Sequence, residues 1–232
     1  MKEWVKSIGL ALGLFLVIRT FLLQAFKIPT GSMENTLLVG DFLLVNKLAY
    51  GASTPSSLPL LDSVPQLSLP GYDEPQRGEI VIFEFPLDRS VDYVKRCLAL
   101  PGDTVEMHDK VLYVNHRPLD EPYAQHGDSK TYSIDSAGRS YPDFLWQRQY
   151  LTEQERQKNG GNYFPTRDNF GPLYVPAGKY FCLGDNRDFS SDSRYWGFVD
   201  RELIKGRPLI LYFSWDRRHW LPRLDRIGKL ID

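Results

Sequence analysis

The 232-residue sequence is poor in the residues that mark disulfide frameworks and metal sites. Its two cysteines, Cys97 and Cys182, are too few for a disulfide framework, and neither belongs to a Cys-x-x-Cys pair. Both lie in apolar runs, which favours buried free thiols, although the sequence leaves a single bridge between them open. The four histidines are scattered without ligand spacing, so we expect no metal and no cofactor.

The sequence also lacks an excess of charge of either sign, with a formal net charge of -1. That balance argues against a nucleic-acid partner and against an acidic tail. Aromatic residues make up 13% of the chain, beside 18 glycines and 16 prolines. This composition is typical of a turn-rich β fold rather than of a helical bundle. The length suffices for one large domain, or for two small ones, plus an anchor.

An apolar run lies close to the N-terminus, at Ile8–Ile18, and continues as Phe21–Leu23 after a short polar break. Its basic flank resembles that of a cleavable signal peptide, but Leu23 is too large for the small-x-small cleavage site that should follow. We therefore predict one uncleaved transmembrane anchor over residues 1–26, with Arg19 reaching the interface, rather than a buried core helix. The positive flank predicts a cytoplasmic N-terminus and places the rest of the chain outside.

Beyond the anchor, short runs of β-branched and aromatic residues between glycines and prolines predict strands. The predicted strands are Phe42–Tyr50, Glu79–Phe85, Val91–Leu100, Thr104–Met107, Val111–Val114, Leu173–Val175, Tyr180–Leu183, Trp196–Val199 and Leu209–Phe213. We predict a mainly β fold, with an antiparallel sheet or barrel-like domain over residues 27–115 and 171–232.

Two long stretches lack the regular spacing of apolar residues that predicts a helix or a strand. Residues 52–77 are rich in proline, serine and leucine, and we predict an extended loop there. Residues 116–170 are polar and irregular, with weak helix character near Phe144–Gln157, and we predict an inserted cap subdomain. The tail from Trp215 onward mixes tryptophan with basic residues, which suits a membrane interface and a surface segment on the sheet equally well.

Two stretches carry residues suited to catalysis. Pro29–Met33 sets Ser32 in a turn directly after the apolar segment, although the same residues also suit a plain linker turn. The strand Val91–Leu100 places Lys95 and Arg96 on opposite faces, so one cation points toward an apolar layer. A desolvated lysine loses its preference for the charged form and can act as a general base. Lys47 is an equal candidate on pattern alone.

A third stretch, Gly184–Arg194, is dense in aspartate, arginine and serine. This density is typical of a hydrogen-bonded loop that buttresses a site, with Asp192 and Arg194 able to pair. The alternative is a solvated turn. An EF-hand is disfavoured, because no acidic residue closes the loop at the right distance.

Together, in this order and after an N-terminal anchor, these motifs resemble bacterial type I signal peptidases. The resemblance covers about residues 8–115 and 173–232, and it leaves out 52–76 and most of 116–170. The motifs that carry it are Pro29–Met33, Gly40–Lys47, Arg77–Val81, Tyr93–Arg96 with Leu100–Asp103, and Gly184–Asp188 with Ser191–Gly197.

The resemblance implies a membrane-bound endopeptidase that removes N-terminal signal peptides from exported preproteins. In the family pattern, Ser32 is the nucleophile and Lys95 the general base of a dyad that uses no histidine. Ser190 matches the hydroxyl that orients the lysine. Thr30, where many relatives have serine, joins the Ser32 backbone N–H in the oxyanion hole.

The resemblance also implies a structural ion pair between Asp192 and Arg194. Its implied partners are the bilayer of the bacterial cytoplasmic membrane and secretory preproteins with small residues at the first and third positions before the scissile bond. The residues that match the shallow apolar substrate pockets are Phe26, Ile28, Met33, Leu37, Tyr93 and Val94.

Two other readings of the sequence remain. The first is another serine–lysine processing peptidase, either a pilus or conjugation type or a self-cleaving repressor. A repressor would carry an N-terminal DNA-binding domain, and the sequence shows none. The second is a membrane-tethered β module that binds partners without catalysis.

Overall fold

The computed structural model describes residues 2–53, 68–133, 142–159 and 163–231. The chain divides into two compact units. The first combines Met1–Pro29, Gly40–Glu74 and Lys205–Asp232, and the second combines Thr30–Val39 and Pro75–Ile204.

The secondary structure is mainly antiparallel β, which confirms this part of the predicted fold class. In chain order the strands are β1 (Leu23–Lys27), β2 (Asp41–Asn46), β3 (Gly51–Ser53), β4 (Ser68–Pro70), β5 (Ile80–Phe85), β6 (Asp88–Ala99), β7 (Thr104–His108), β8 (Val111–Val114), β9 (Arg117–Pro118), β10 (Phe170–Tyr174), β11 (Lys179–Leu183), β12 (Val199–Asp200), β13 (Ile204–Asp216) and β14 (Leu221–Pro222). The α-helices are α1 (Lys2–Val17), α2 (Glu153–Asn159) and α3 (Ser193–Trp196). The remaining turns of helix are a π-helix at Ile18–Leu22 and 3₁₀ segments at Pro142–Tyr150, Arg187–Phe189, Arg201–Leu203 and Leu224–Arg226.

In the first unit, β1, β2 and β13 are antiparallel neighbours, β14 pairs with the end of β13, and β3 pairs with β4. Side chains along β2 alternate between buried and half-buried, the period of a strand with one face on a core. The fully buried Asp41 carboxylate accepts hydrogen bonds from Ser214 Oγ and from Arg226 Nη2, both at 2.6 Å. This pairing offsets the cost of burying the carboxylate and fastens the C-terminal segment to the strand.

The second unit contains a sheet in the order β5-β6-β11-β12 and a smaller sheet in the order β10-β7-β8-β9. Its apolar core includes Leu98, Met107, Leu112, Phe170 and Phe181. Burying each such side chain stabilises the fold by about 1.5–3 kcal/mol. The last six residues of β6 are all buried, so this strand is a rigid support for the side chains that it carries.

The N-terminal segment differs from the prediction in where it ends. The predicted anchor extended to residue 26, but β1 begins at Leu23 and pairs with β2. The reason is that exposed and half-buried side chains alternate over Leu23–Lys27, which is strand rather than helix periodicity. Among the described residues, no helix combines the length and the apolar character needed to cross a bilayer.

The predicted strand at Trp196–Val199 is wrong. Trp196 instead ends the short helix α3, and only Val199 and Asp200 form a strand. The Asp192 carboxylate accepts a hydrogen bond from the Arg194 backbone N–H and caps this helix, and Gly197 ends it with a φ of 100°. Capping and a glycine in the left-handed region therefore outweigh the β propensity of these residues.

The loop and cap predictions fall partly outside the described residues. Residues 54–67 of the loop predicted at 52–77 lie outside the described residues. The parts on either side contain the strands β3 and β4, which pair with each other. Within 116–170, residues 134–141 and 160–162 lie outside it. The weak helix character near Phe144–Gln157 is realised as the 3₁₀ segment Pro142–Tyr150 and the helix α2.

Candidate active site

Ser32 and Lys95 lie side by side in the second unit. Lys95 Nζ donates a hydrogen bond to Ser32 Oγ at 2.6 Å. The lysine is only 4% exposed, and this burial lowers the pKa of its amine from 10.5 to about 8, against the opposing carboxylate charges of Asp192 and Asp185. Once the amine is neutral it has a lone pair, so at this distance it can take the hydroxyl proton.

The strand that carries the lysine buries two cations rather than the one expected. Lys95 and Arg96 point to opposite faces of β6, and each is 4% exposed, because both faces of the strand are covered at this point. Arg96 donates through Nε and Nη2 to the two oxygens of Asp185, at 2.9 and 2.8 Å, and through Nη1 to the Gly78 carbonyl at 2.6 Å. Its guanidinium also lies 3.9 Å from the centre of the Tyr123 ring. Arg96 is thus a paired structural cation, and Lys95 is the one that reaches the serine.

Asp185 connects the serine turn to the lysine strand. Besides Arg96, its carboxylate accepts a 2.6 Å hydrogen bond from Thr36 Oγ1. The next residue, Asn186, donates its backbone N–H to the Ser32 carbonyl and its side-chain amide to the Gly31 carbonyl, each at 3.1 Å. The sequence reasoning did not single out Asp185, Asn186 or Thr36. The available signal was the density of polar residues after Gly184.

Of Gly31 and Gly184, Gly184 is the one that the geometry requires. A Cβ at Gly184 would lie 2.2 Å from Ser190 Oγ and 2.5 Å from the Ser32 carbonyl oxygen. A Cβ at Gly31 would meet only the flexible end of Glu34, at 3.0 Å. The positive φ in the serine turn belongs instead to Asn35, at 86°. Gly184 therefore permits a close approach of two chain segments that any side chain would separate.

The predicted ion pair between Asp192 and Arg194 is buried within the stretch Gly184–Arg194. Arg194 donates to the two carboxylate oxygens of Asp192 through Nε and Nη2, each at 2.8 Å, and both residues are buried. Burial by itself would raise the pKa of Asp192, but Arg194 outweighs it and holds that pKa below its usual value. Trp146 and Gln147, from the 3₁₀ segment of the insert, donate to the Arg194 carbonyl. The pair thus ties the insert to the loop that carries Ser190.

The second unit also contains further predicted site residues, namely Thr30, Met33, Leu37, Tyr93, Val94 and Ser190. Ser190 is 6% exposed, and its Oγ makes no hydrogen bond within the described residues. Thr30 is exposed. Tyr93 stacks on Phe85 with ring centres 4.4 Å apart, and its ring centre lies 5.2 Å from Lys95 Nζ. Of the predicted pocket residues, those that are buried in this unit are Met33, Leu37 and Val94.

Three further candidates belong to the first unit. Ile28 is buried, at 3% exposure, and Phe26 is half-buried on β1. Lys47, the equal candidate for the base on pattern alone, is half-buried just after β2. The hydrogen bond to Ser32 Oγ comes from Lys95.

The two cysteines are buried free thiols. Cys97 and Cys182 are directly opposite partners across β6 and β11. Burial, together with a hydrogen bond to Cys97, raises the pKa of the Cys182 thiol.

A buried lysine amine bonded to a serine hydroxyl, on an antiparallel β scaffold, places this chain among the serine peptidases. The family model for signal peptidase, peptidase S26, matches residues 1–213. The chain is 36% identical to the signal peptidase I of Pseudomonas fluorescens, over 98% of this chain and 78% of that protein. The identity and the coverage are the same for signal peptidase I of Pseudomonas aeruginosa. The chain belongs to the signal peptidase family, peptidase S26, which confirms the resemblance seen in its motifs.

A crystal structure of a signal peptidase I from Enterococcus faecalis V583 is also similar in part. The sequence identity is 30%, and the match covers 58% of this chain and 97% of the crystallised chain, with a TM-score of 0.37.

Proposed function

We propose that this peptidase removes N-terminal signal peptides from secretory preproteins by a serine–lysine acyl-enzyme mechanism. The single observation that carries this mechanism is the 2.6 Å contact between Lys95 Nζ and Ser32 Oγ. The neutral amine takes the hydroxyl proton while Oγ attacks the carbonyl carbon before the scissile bond. The tetrahedral intermediate then breaks the C–N bond, and the lysine ammonium gives its proton to the leaving amine. Lys95 next takes a proton from water while the water oxygen attacks the ester carbonyl carbon. The lysine ammonium then returns that proton to Ser32 Oγ as the C–O bond of the acyl-enzyme breaks.

The oxyanion of the intermediate needs donors that are in place before the reaction. The Thr30 hydroxyl and the Ser32 backbone N–H fill this role in the proposal, and one such donor stabilises the transition state by roughly 3 kcal/mol. The exposure of Thr30 is consistent with a side chain that faces substrate. Its β-branch restricts χ1, so the hydroxyl has fewer orientations than that of a serine.

The substrate binds as an extended strand in this proposal. Within the part of the chain that the structure describes, β11 pairs with β6 only at Arg96–Ala99. In this proposal a peptide lies beside Tyr93–Lys95, which precede that pairing, forms main-chain hydrogen bonds there and places alternate side chains in pockets. The apolar residues Met33, Leu37, Tyr93 and Val94 line the pockets for small side chains at the first and third positions before the cut. Phe26 and Ile28 remain predicted pocket residues.

We also propose that the N-terminal segment holds the enzyme at the bacterial cytoplasmic membrane, in a single pass, with the N-terminus in the cytoplasm and the catalytic residues outside. The support is the surface of α1, whose large apolar side chains are 55% to 76% exposed at Trp4, Val5, Ile8, Leu10, Leu12, Leu14 and Phe15. A contiguous apolar surface of this kind is rare in contact with water and marks an interaction site. Membrane flotation of the full chain tests this, and an enzyme that stays entirely in the unbound fraction contradicts it.

The cleavage proposal is tested by incubating the purified full chain with a preprotein and measuring the masses of the product ends. We expect one cut after the signal peptide, and we expect Ser32→Ala and Lys95→Ala each to abolish it while keeping the native circular dichroism. Lys47→Ala is the matched control and retains the cut. Near-normal turnover in either variant contradicts the assignment of Ser32 as nucleophile and Lys95 as base. A serine-directed acylating probe that fails to label Ser32 favours a non-catalytic binding module.

A further inference from the structure

A cavity of about 440 Å³ opens beside Ser190 in the second unit. Its volume is within the usual range of ligand pockets, about 300–1,000 Å³. The cavity borders the dyad, because Ser190 Oγ and the Ser32 carbonyl oxygen both lie within 2.5 Å of the point where a Gly184 Cβ would sit. It shares no lining residue with the predicted substrate pockets. The cavity is therefore separate from the predicted pockets but adjacent to the segment that carries Ser32.

The walls of this cavity are apolar and partly open to water. Phe85 and Trp196 form one wall, with ring centres 5.8 Å apart and nearly perpendicular planes. Leu87 and Phe189 lie on the rim, and they are 73% and 68% exposed. Covering exposed apolar side chains of this size is favourable, at about 25 cal/mol per Å² of apolar surface. A ligand with an apolar stem is thus suited to the walls.

Two polar atoms of the lining residues lack partners. Ser190 Oγ and Trp196 Nε1 are both buried, and neither makes a hydrogen bond within the described residues. Buried polar groups of native proteins are nearly always bonded, and each exception needs an explanation. Both atoms are covered by protein, so a peptide in the cavity reaches them only where the surrounding side chains move aside.

The cavity also has a negative rim. Asp143 and Asp188 both line it. The Asp188 carboxylate is neutralised by Lys110 at 3.1 Å and by Arg167 at 3.5 Å, whereas Asp143 is exposed in the first turn of the insert's 3₁₀ segment. A cation above the aromatic walls and close to Asp143 gains both a cation–π contact and a charge-assisted hydrogen bond.

We propose that this cavity binds the first two residues after the scissile bond and favours a lysine or arginine side chain there. This inference rests on the proposed function, in which Met33, Leu37, Tyr93 and Val94 receive the residues before the cut. A bound substrate extends from Ser32 on both sides of the scissile bond. The separate cavity next to Ser190 receives the residues that follow this bond. The aliphatic stem of the basic residue packs on the apolar walls, and its charged head reaches Asp143.

The test uses peptides that are identical up to the scissile bond and carry lysine, norleucine or aspartate at the second position after it. Norleucine keeps the apolar stem without the charge. For the wild-type enzyme we expect kcat/KM to be about fivefold higher for lysine than for norleucine, which is about 1 kcal/mol. The aspartate peptide is cleaved more slowly than either. Asp143→Asn brings the lysine-to-norleucine ratio close to one, and Asp143→Lys inverts it.

Asp120→Asn is the control, because Asp120 is an exposed acid that does not line the cavity, and it keeps the wild-type ratio. The same lysine and norleucine peptides are also titrated against Ser32→Ala by fluorescence anisotropy, which measures binding without turnover. Equal Kd values for the two peptides, or a ratio that Asp143→Asn leaves unchanged, overturn the cavity assignment. If no peptide is cleaved by the wild-type enzyme but lysine still binds more tightly, the proposed function fails and the cavity assignment stands.

Discussion

The amine of Lys95 and the hydroxyl of Ser32 are joined by a 2.6 Å hydrogen bond inside a site that excludes water from the lysine. The same burial that destabilises the ammonium form makes the amine a usable base, because it lowers the pKa of Lys95 to about 8. In the proposed mechanism, the charge and position of this one side chain therefore affect both the activity and the stability of the enzyme.

The activity is expected to rise with pH. Lys95 is competent only when it is neutral, so kcat/KM increases through an inflection near its pKa of about 8 and reaches a plateau above it. Two pH units below the inflection, the rate is roughly a hundredfold below the plateau. Initial rates on a peptide substrate between pH 6 and pH 10 measure this. A flat profile over that range is incompatible with a lysine base.

Replacing the lysine is expected to stabilise the fold at neutral pH. The pKa of Lys95 falls from 10.5 to about 8 on folding, so between these values the unfolded chain binds more protons and the stability of the wild type rises with pH. Lys95→Met removes this titration, and near pH 7 it should be more stable than the wild type by roughly 1–3 kcal/mol. The difference shrinks as the pH approaches 10.5.

Urea unfolding at several pH values measures that difference. Lys130→Met, at an exposed lysine, is the matched control and should leave stability within about 0.5 kcal/mol at neutral pH. A Lys95→Met variant that is less stable than the wild type at pH 7 would show that the amine makes compensating contacts.

Gly184→Ala is expected to damage both stability and activity. Its Cβ would meet the Ser32 carbonyl oxygen at 2.5 Å and Ser190 Oγ at 2.2 Å, and forcing such contacts apart costs about 1–3 kcal/mol. Because the atoms that must move include the backbone of Ser32, the proposed nucleophile, kcat should fall by at least about tenfold. Thermal unfolding and steady-state kinetics measure the two effects. Gly9→Ala, whose Cβ meets nothing within 4 Å, serves as the control, and equal behaviour of the two variants contradicts the clash.

Asp185→Ala is expected to be among the most destabilising single changes near the site. It leaves Arg96, at 4% exposure, without the carboxylate that receives its Nε and Nη2. Breaking a buried pair by removing one partner costs about 3–5 kcal/mol. Adding Arg96→Met to this variant removes the stranded charge and should recover part of the loss, which a double-mutant cycle measures. Strictly additive effects would mean that the pair contributes no coupling.

Most of the strands could be predicted from the sequence, because they depend on local patterns of residues. Alternating and β-branched runs predicted most strands, because side-chain period and propensity act over a few neighbouring residues. One prediction of this kind was wrong, because α3 occupies part of the strand expected at Trp196–Val199. The bound predicted for the N-terminal segment at residue 26 also differs from the structure, in which β1 begins at Leu23. At Trp196 the outcome depended on capping by Asp192 and on the backbone of Gly197.

The sequence by itself determined the mainly β fold class, and its ordered motifs pointed to the signal peptidase family before any contact was known. Only the tertiary structure decided that Lys95 and Arg96 are both buried, and that Asp185 joins Arg96 to Thr36. Thr36, Arg96 and Asp185 are far apart along the chain, and the pattern of apolar and polar residues does not indicate which carboxylate pairs with which cation. Their pairing follows from the desolvation of β6 on both faces, which is a property of the packed sheet and not of any local stretch of sequence.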